Sequence, residues 1–148
     1  MKRYQFPLKG FLQVKVHEEN AALAQYAAAA AQLSQARHAA ASLKRRLVDE
    51  WRQHQETLKS GPATQQLLLQ QNGWNYIEQQ IEKAEAEVIQ AEDQLEDSAL
   101  KLKSVRTDRE SLENYRRESQ RSHFTEAERQ EQAELDELAS RGGRQRSY

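Results

Sequence analysis

The sequence contains no cysteine, which excludes structural disulfides and thiolate chemistry and suits a reducing compartment. Proline occurs twice and glycine five times in 148 residues, so there are few points at which a helix must stop. Apolar runs are short. None approaches the roughly 20 residues of a membrane span, and the basic stretch from Met1 to Gly10 is not followed by the apolar segment of a signal peptide. These features predict a cytoplasmic protein with no direct membrane insertion. Neither sign of charge dominates: 22 Lys and Arg stand against 23 Asp and Glu, interleaved along the chain, so no field over the whole surface favours nucleic acid. With 37% hydrophobic and 30% charged residues, the chain is too polar for an ordinary globular core of this size.

What is present instead is an abundance of strong helix formers with regularly spaced apolar members. Leu8 and Leu12 are followed by Ala22, Tyr26, Ala29, Leu33, Ala36, Ala40, Leu43 and Leu47. From Ala22 the steps alternate four and three, the a/d pattern of a coiled coil. This predicts a first long helix over 8–59, with a thin seam where alanine occupies the stripe and a weaker stripe through Glu50 or Trp51, His54 and Leu58. Ser60, Gly61 and Pro62 end it, and Asn72–Gly73 suggests a second break. The expectation is therefore a broken tip segment over 60–73 containing a short helical turn capped by Thr64. Leu67, Leu68 and Leu69 in that segment either pack on the tip or face a partner.

The second stripe runs through Trp74, Ile77, Ile81, Ala84, Val88, Ala91, Leu95, Ser98, Leu102, Val105, Arg109 and Leu112 without a missed step. It predicts a second long helix over 74–140 and a basic flexible tail over 141–148. The phase slips between Leu112 and Phe124, which predicts an interrupted supercoil near Arg116 to His123. Two stripes of similar length on either side of a break favour one domain over 1–148, an all-α, long two-helix antiparallel coiled-coil hairpin; a parallel homodimer is the structural rival. A symmetry centre near residue 66 would set Leu58 against the Trp74 region and Leu8 against the Phe124 region. The paired helices would span about 75 Å, with a C-terminal overhang of about 20 Å.

The residue pattern holds no recognisable reaction centre. His17, His38, His54 and His123 lack metal-ligand spacing, no Gly-rich phosphate loop is present, and the acidic residues read as solvated helix faces. We expect no enzymatic activity, cofactor or metal. The clusters Lys44–Arg45–Arg46, Arg116–Arg117–Arg121 and Arg141–Arg144–Arg146 are too separated for one nucleic-acid track. Each is either solvated surface or a contact for an acidic protein.

The opening Tyr4-Gln5-Phe6-Pro7-Leu8, with Leu12, Lys15, Glu18 and Glu19, resembles the start of the flagellar FliJ family. The stretch Glu126, Glu128, Gln130, Glu131, Leu135, Asp136, Glu137 and Ala139, next to the basic tail, resembles its ending. The resemblance implies a non-enzymatic coiled coil of the flagellar type III export apparatus, similar to the central stalk of rotary ATPases. It also implies three partners: the hexameric export ATPase, the cytoplasmic domain of the export gate membrane protein, and flagellar export chaperones. The protein would be cytoplasmic and peripherally associated with the inner face of the cell membrane through that apparatus.

By the same resemblance the gate-contacting positions fall on Ile77, Ile81, Ala84 and Val88 of the second helix and on Leu43, Leu47, Glu50 and His54 of the first. Glu50 and His54 stand where the family pattern prefers tyrosines, and Val88 where it is commonly polar; Trp51 is a neighbouring aromatic anchor. All eight also lie on the predicted stripes, so packing between the helices is the alternative reading. For ATPase binding the candidates are Leu135, Leu138, Arg141, Arg144 and Arg146. The competing functional classes are a structural scaffold or adaptor coiled coil and a stalk component of a related virulence type III secretion system.

Overall fold

The computed structural model of the chain describes residues 3–146, with side chains through Arg144. It is all-α, with no strand among the described residues. Helix α1 (Lys9–Lys59) and helix α2 (Thr64–Arg146) pack against each other. The single domain expected over 1–148 divides into two compact units. One, the hairpin unit, is Ala21–Lys103; the other, the terminal unit, joins the described residues up to Asn20 to those from Ser104 onward.

In the hairpin unit the two segments run antiparallel with the expected stripes turned inward. Ala22, Ala29, Leu33 and Ala40 of α1 and Ala84, Ala91, Leu102 and Ile77 of α2 are buried, and the remaining stripe positions are half-buried except Leu58, at the weak end of the first stripe, which is exposed. Alanine at so many of these places lets the helix axes approach to the short end of the usual range, about 8 Å. Side chains on the rows flanking the seam can then reach across it. Arg37 Nη2 lies 3.4 Å from Glu92 Oε1, and Lys44 Nζ lies 3.1 Å from Glu85 Oε1.

The turn is tighter than the sequence suggests. Ser60 closes α1, its N–H and its hydroxyl both donating to the Thr57 carbonyl at 3.1 and 2.8 Å. Gly61 takes the left-handed conformation (φ 72°) that lets the chain leave the helix, and Pro62 prevents its continuation. The Ala63 carbonyl accepts from the N–H groups of Gln66 and Leu67, so α2 begins at Thr64. The broken segment expected over 60–73 is thus corrected to residues 60–63, and Thr64 lies inside the helix rather than capping an isolated turn. Asn72–Gly73 does not break α2. Glycine in a helix costs about 1 kcal/mol, but neighbouring Gln70 and Trp74 are tied to α1, and those ties hold the turn helical.

The ties form a polar layer. His54 Nδ1–H donates to Gln70 Oε1 at 2.8 Å, Gln70 Nε2 donates to Thr57 Oγ1 at 3.1 Å, and the His54 ring meets Trp74 edge-on at 6.0 Å. His54, and not Leu58, is therefore the residue opposite Trp74, one helical turn from the expected register. The shorter loop moves the point about which the two helices are paired.

In the terminal unit Leu12 and Phe6 are buried. The lead-in before α1 is not helical, yet it continues along α2: Phe6 lies 6.0 Å from the Tyr115 ring and Tyr4 5.3 Å from the His123 ring. Leu8 and Phe124, expected to face each other, are both exposed. Near Arg116 to His123, where an interrupted supercoil is expected, α2 itself is continuous. The slipped stripe there marks a change of partner, from α1 to the extended lead-in. Of the expected tail over 141–148, the part up to Arg146 is helical and extends α2 past the expected end at 140, through Gly142 and Gly143; the rest lies outside the described residues.

The alanine seam makes a direct prediction. Ala40 is buried and Ala39, beside it, is exposed. Ala40→Leu should lower stability by about 1–3 kcal/mol through overpacking, while Ala39→Leu should change it by less than about 0.5 kcal/mol. Denaturant unfolding of the two variants compares them.

Candidate partner-binding sites

The hairpin unit brings all eight proposed gate residues onto the two sides of one seam. Ile77 is 3% exposed and Ala84 is also buried. Ile81, Val88, Leu43, Leu47, Glu50 and His54 are half-buried. Packing between the helices is what these side chains do in this structure, and only the outer edges of the half-buried six reach solvent. Beside them, Leu58, Leu67 and Trp74 join His54 in lining an open groove of about 470 Å³ near the turn. Leu68 and Leu69 are exposed.

The proposed ATPase residues lie on the last turns of α2 in the terminal unit. Every described side chain from 128 to 144 is exposed. Leu135 and Leu138, three residues apart on one side of the helix, are 60% and 63% exposed. Arg141 Nη2 pairs with Glu137 Oε1 at 2.6 Å, an i,i+4 contact within the helix. Arg144 is exposed. Arg146 is the last helical residue, and its side chain lies outside the described ones.

One cluster in the terminal unit escaped the sequence reading. Arg109 occupies a seam position and is bracketed by two carboxylates: its Nε donates to Glu19 Oε2 of α1 and its Nη1 to Glu113 Oε2 at 2.9 Å. Arg106 Nε donates to the other Glu19 oxygen at 3.2 Å. One turn away, Lys15 Nζ reaches Glu18 at 3.2 Å and Asp108 at 3.7 Å, and lies 5.6 Å over the Phe11 ring. Partial burial pushes the Glu19 carboxyl up, but the hydrogen bonds from Arg109 and Arg106 outweigh it and hold Glu19 below the usual carboxylate range. The bond to Glu19 raises Arg109 further still. Arg109 lies on the expected stripe and Glu19 in the opening of the first helix, but recognising them as partners needs the register.

Because folding lowers the Glu19 pKa, its contribution is complete above the ordinary value of 4.5 and is lost as pH falls through the lower folded value. Glu19→Gln should therefore reduce the thermal midpoint at neutral pH. The gap to the parent protein should close in acid, below the ordinary value. Thermal unfolding followed by circular dichroism between neutral pH and about pH 3 tests this, and a gap that stays constant would show that the ion pairs contribute nothing to stability.

Among the described residues no helix is long and apolar enough to cross a membrane. In comparison with known proteins, the family model described as flagellar FliJ protein matches residues 4–147. No curated protein sequence matches the chain. Among solved structures, a YscO homologue from Chlamydia trachomatis aligns with a TM-score of 0.63 over 93% of this chain and 94% of that one. Sequence identity between the two is 20%, so this likeness concerns the fold.

Proposed function

The chain belongs to the flagellar FliJ family, and from that premise we propose that it is a non-enzymatic, stalk-like component of flagellar type III protein export. In this reading the end of α2 seats in the hexameric export ATPase, the hairpin near the turn contacts the cytoplasmic domain of the export gate, and export chaperones are further partners. The protein works in the cytoplasm, held at the inner face of the cell membrane through the apparatus. ATP hydrolysis stays with the ring.

The observation that carries this reading is the run of exposed side chains on α2 beyond Ala127, with Leu135 and Leu138 uncovered. A single amphipathic helix without a neighbour is marginal in water and gains order when its apolar side is covered. It is about 10–12 Å across with its side chains, narrow enough for the axial opening of a ring. Leu135 and Leu138 supply the apolar contact. Arg141, Arg144 and Arg146 supply attraction to acidic surfaces, which salt screens while leaving most of the apolar part.

Truncation after Glu134 removes both groups and leaves every α1-paired segment. Helicity per residue and gate binding should persist while stimulation of the ATPase is lost. Normal stimulation across a salt titration would make the end of α2 dispensable and move attention to Phe6, Leu8 and Phe11.

For the gate, burial decides which substitutions inform. Ile77→Asp places a charge in the seam and should cost the hairpin much of its helicity. Glu50→Ala alters the solvent edge instead, whereas a change at His54 would also cut its ties to Gln70 and Trp74. The Glu50 variant should keep its helicity and bind the gate domain about tenfold more weakly, the scale of a modest interface hot spot. Unchanged affinity in an isothermal titration would remove Glu50 from the contact.

A further inference from the structure

The two ion pairs that cross the seam, Arg37–Glu92 and Lys44–Glu85, define one side of the hairpin unit, because they show which flanking rows of α1 and α2 meet. Continuing those rows toward the turn, Trp51 and Leu58 follow Lys44 at heptad steps on α1, and Glu78 follows Glu85 on α2. This side differs from the seam. Its apolar members point outward: Trp51 is 44% exposed, Ile89 61%, and Val48 and Leu58 are exposed as well. A groove of about 390 Å³ opens there, floored by Ala40, Ala41, Val88 and Ile89 and walled by Arg37, Lys44 and Glu85. The groove that contains Leu58 and Glu78 opens on the same side.

On the rows that border the groove the charges are unbalanced, the α1 cations Arg45 and Arg52 lying one row further out. Arg37 and Lys44 are consumed by Glu92 and Glu85. Glu82 and Glu96 flank Ile89 one heptad to either side on the same row of α2, and neither has an ion pair among the described residues. Glu78 accepts from Trp74 Nε1 at 3.0 Å, a neutral donor. A visitor that covers Ile89 and Trp51 therefore brings its edge over uncompensated carboxylates. An acidic or neutral visitor would leave them desolvated without partners, whereas cations on its flanks would satisfy them.

We infer that this side of the hairpin unit is a docking face for a basic amphipathic helix of another protein, its apolar row lying in the groove over Ile89 and Trp51 and its Lys or Arg flank meeting Glu78, Glu82 and Glu96. Length fits as well as charge. Trp51 and Leu58 are one heptad apart, as are Glu82, Ile89 and Glu96, so one partner helix of a few turns spans the face with residues spaced i, i+3, i+4 and i+7. The inference is independent of the α2 end and of ATPase binding, and it stands or falls without them.

The test uses the full chain and two synthetic helical peptides of about five turns, with identical leucine spacing and flanks of either lysine or glutamate. Labelled-peptide anisotropy should show the lysine peptide binding at least tenfold more tightly than the glutamate peptide. Trp51→Glu with Ile89→Glu should abolish that binding, and Glu82→Lys with Glu96→Lys should reverse the preference. Tyr76→Glu, at an exposed aromatic position on the other side of α2, should leave it unchanged. All the altered side chains are exposed, and circular dichroism verifies that helicity is retained. Equal binding of both peptides would overturn the proposal, as would loss of binding in the Tyr76 variant. So would sedimentation velocity showing a dimer that Trp51→Glu dissolves, because the face would then belong to a second copy of the chain.

Discussion

How closely α1 and α2 can approach in the hairpin unit is set by alanine. Ala22, Ala29 and Ala40 on one side and Ala84 and Ala91 on the other leave little between the helix backbones, so the seam removes modest apolar area per turn from water. Two consequences follow. Rows flanking the seam come within reach of each other, which is why Arg37 and Lys44 span it to Glu92 and Glu85. And register is weakly specified by the seam itself, since one alanine layer resembles the next after a shift of one heptad. Registration then falls to the layers that are not interchangeable: the bulk of Leu33 and Ile77, and the His54–Gln70–Thr57 hydrogen bonds near the turn. A slip would strand those polar groups, and stranding costs more than the bonds gain.

The terminal unit solves the same problem with charge. Arg109 at a seam position would be costly if unpaired; with Glu19 and Glu113 on either side it becomes a key that fits one alignment. Such partly buried pairs add little net stability against an apolar alternative, and their better-attested use is to select one alignment over others. Before Lys9, where α1 begins, the extended lead-in takes its place through Phe6 and Tyr4, packing aromatic rings against α2 without a second helix.

The seam was legible in the sequence because it is periodic. Every position from Ala22 to Leu47 and from Trp74 to Leu112 on the two stripes is buried or half-buried, and the all-α antiparallel fold follows from that pattern. What periodicity could not convey was the strength of a local signal set against packing. Asn72–Gly73 reads as a break in isolation, yet the contacts of Gln70 and Trp74 with α1 carry the helix through it. Four residues of turn instead of fourteen then displaced the pairing by a helical turn, hiding which residue faces Trp74 and which carboxylate meets Arg109. Likewise the phase slip after Leu112 was visible, but its cause, an extended segment replacing a helix, leaves no helical period to read.

The same geometry limits where function can sit. A unit built on one two-helix seam has a single core, and a side chain committed to it cannot present its surface to a partner unless the helices part. Ile77 and Ala84 are so committed. Residues one row outward are not: they lie close enough to the thin seam to be positioned by it and far enough from it to remain in water. Sequence alone assigns such residues to solvent, because it cannot say which flanking row of one helix adjoins which row of the other. The crossing ion pairs supply that information, and once they do, exposed Trp51 and Ile89 stop being isolated apolar residues and become members of one side of a packed pair. Binding surfaces on thin coiled coils are therefore best sought on the rows beside the seam. There side chains are positioned by the core without being consumed by it.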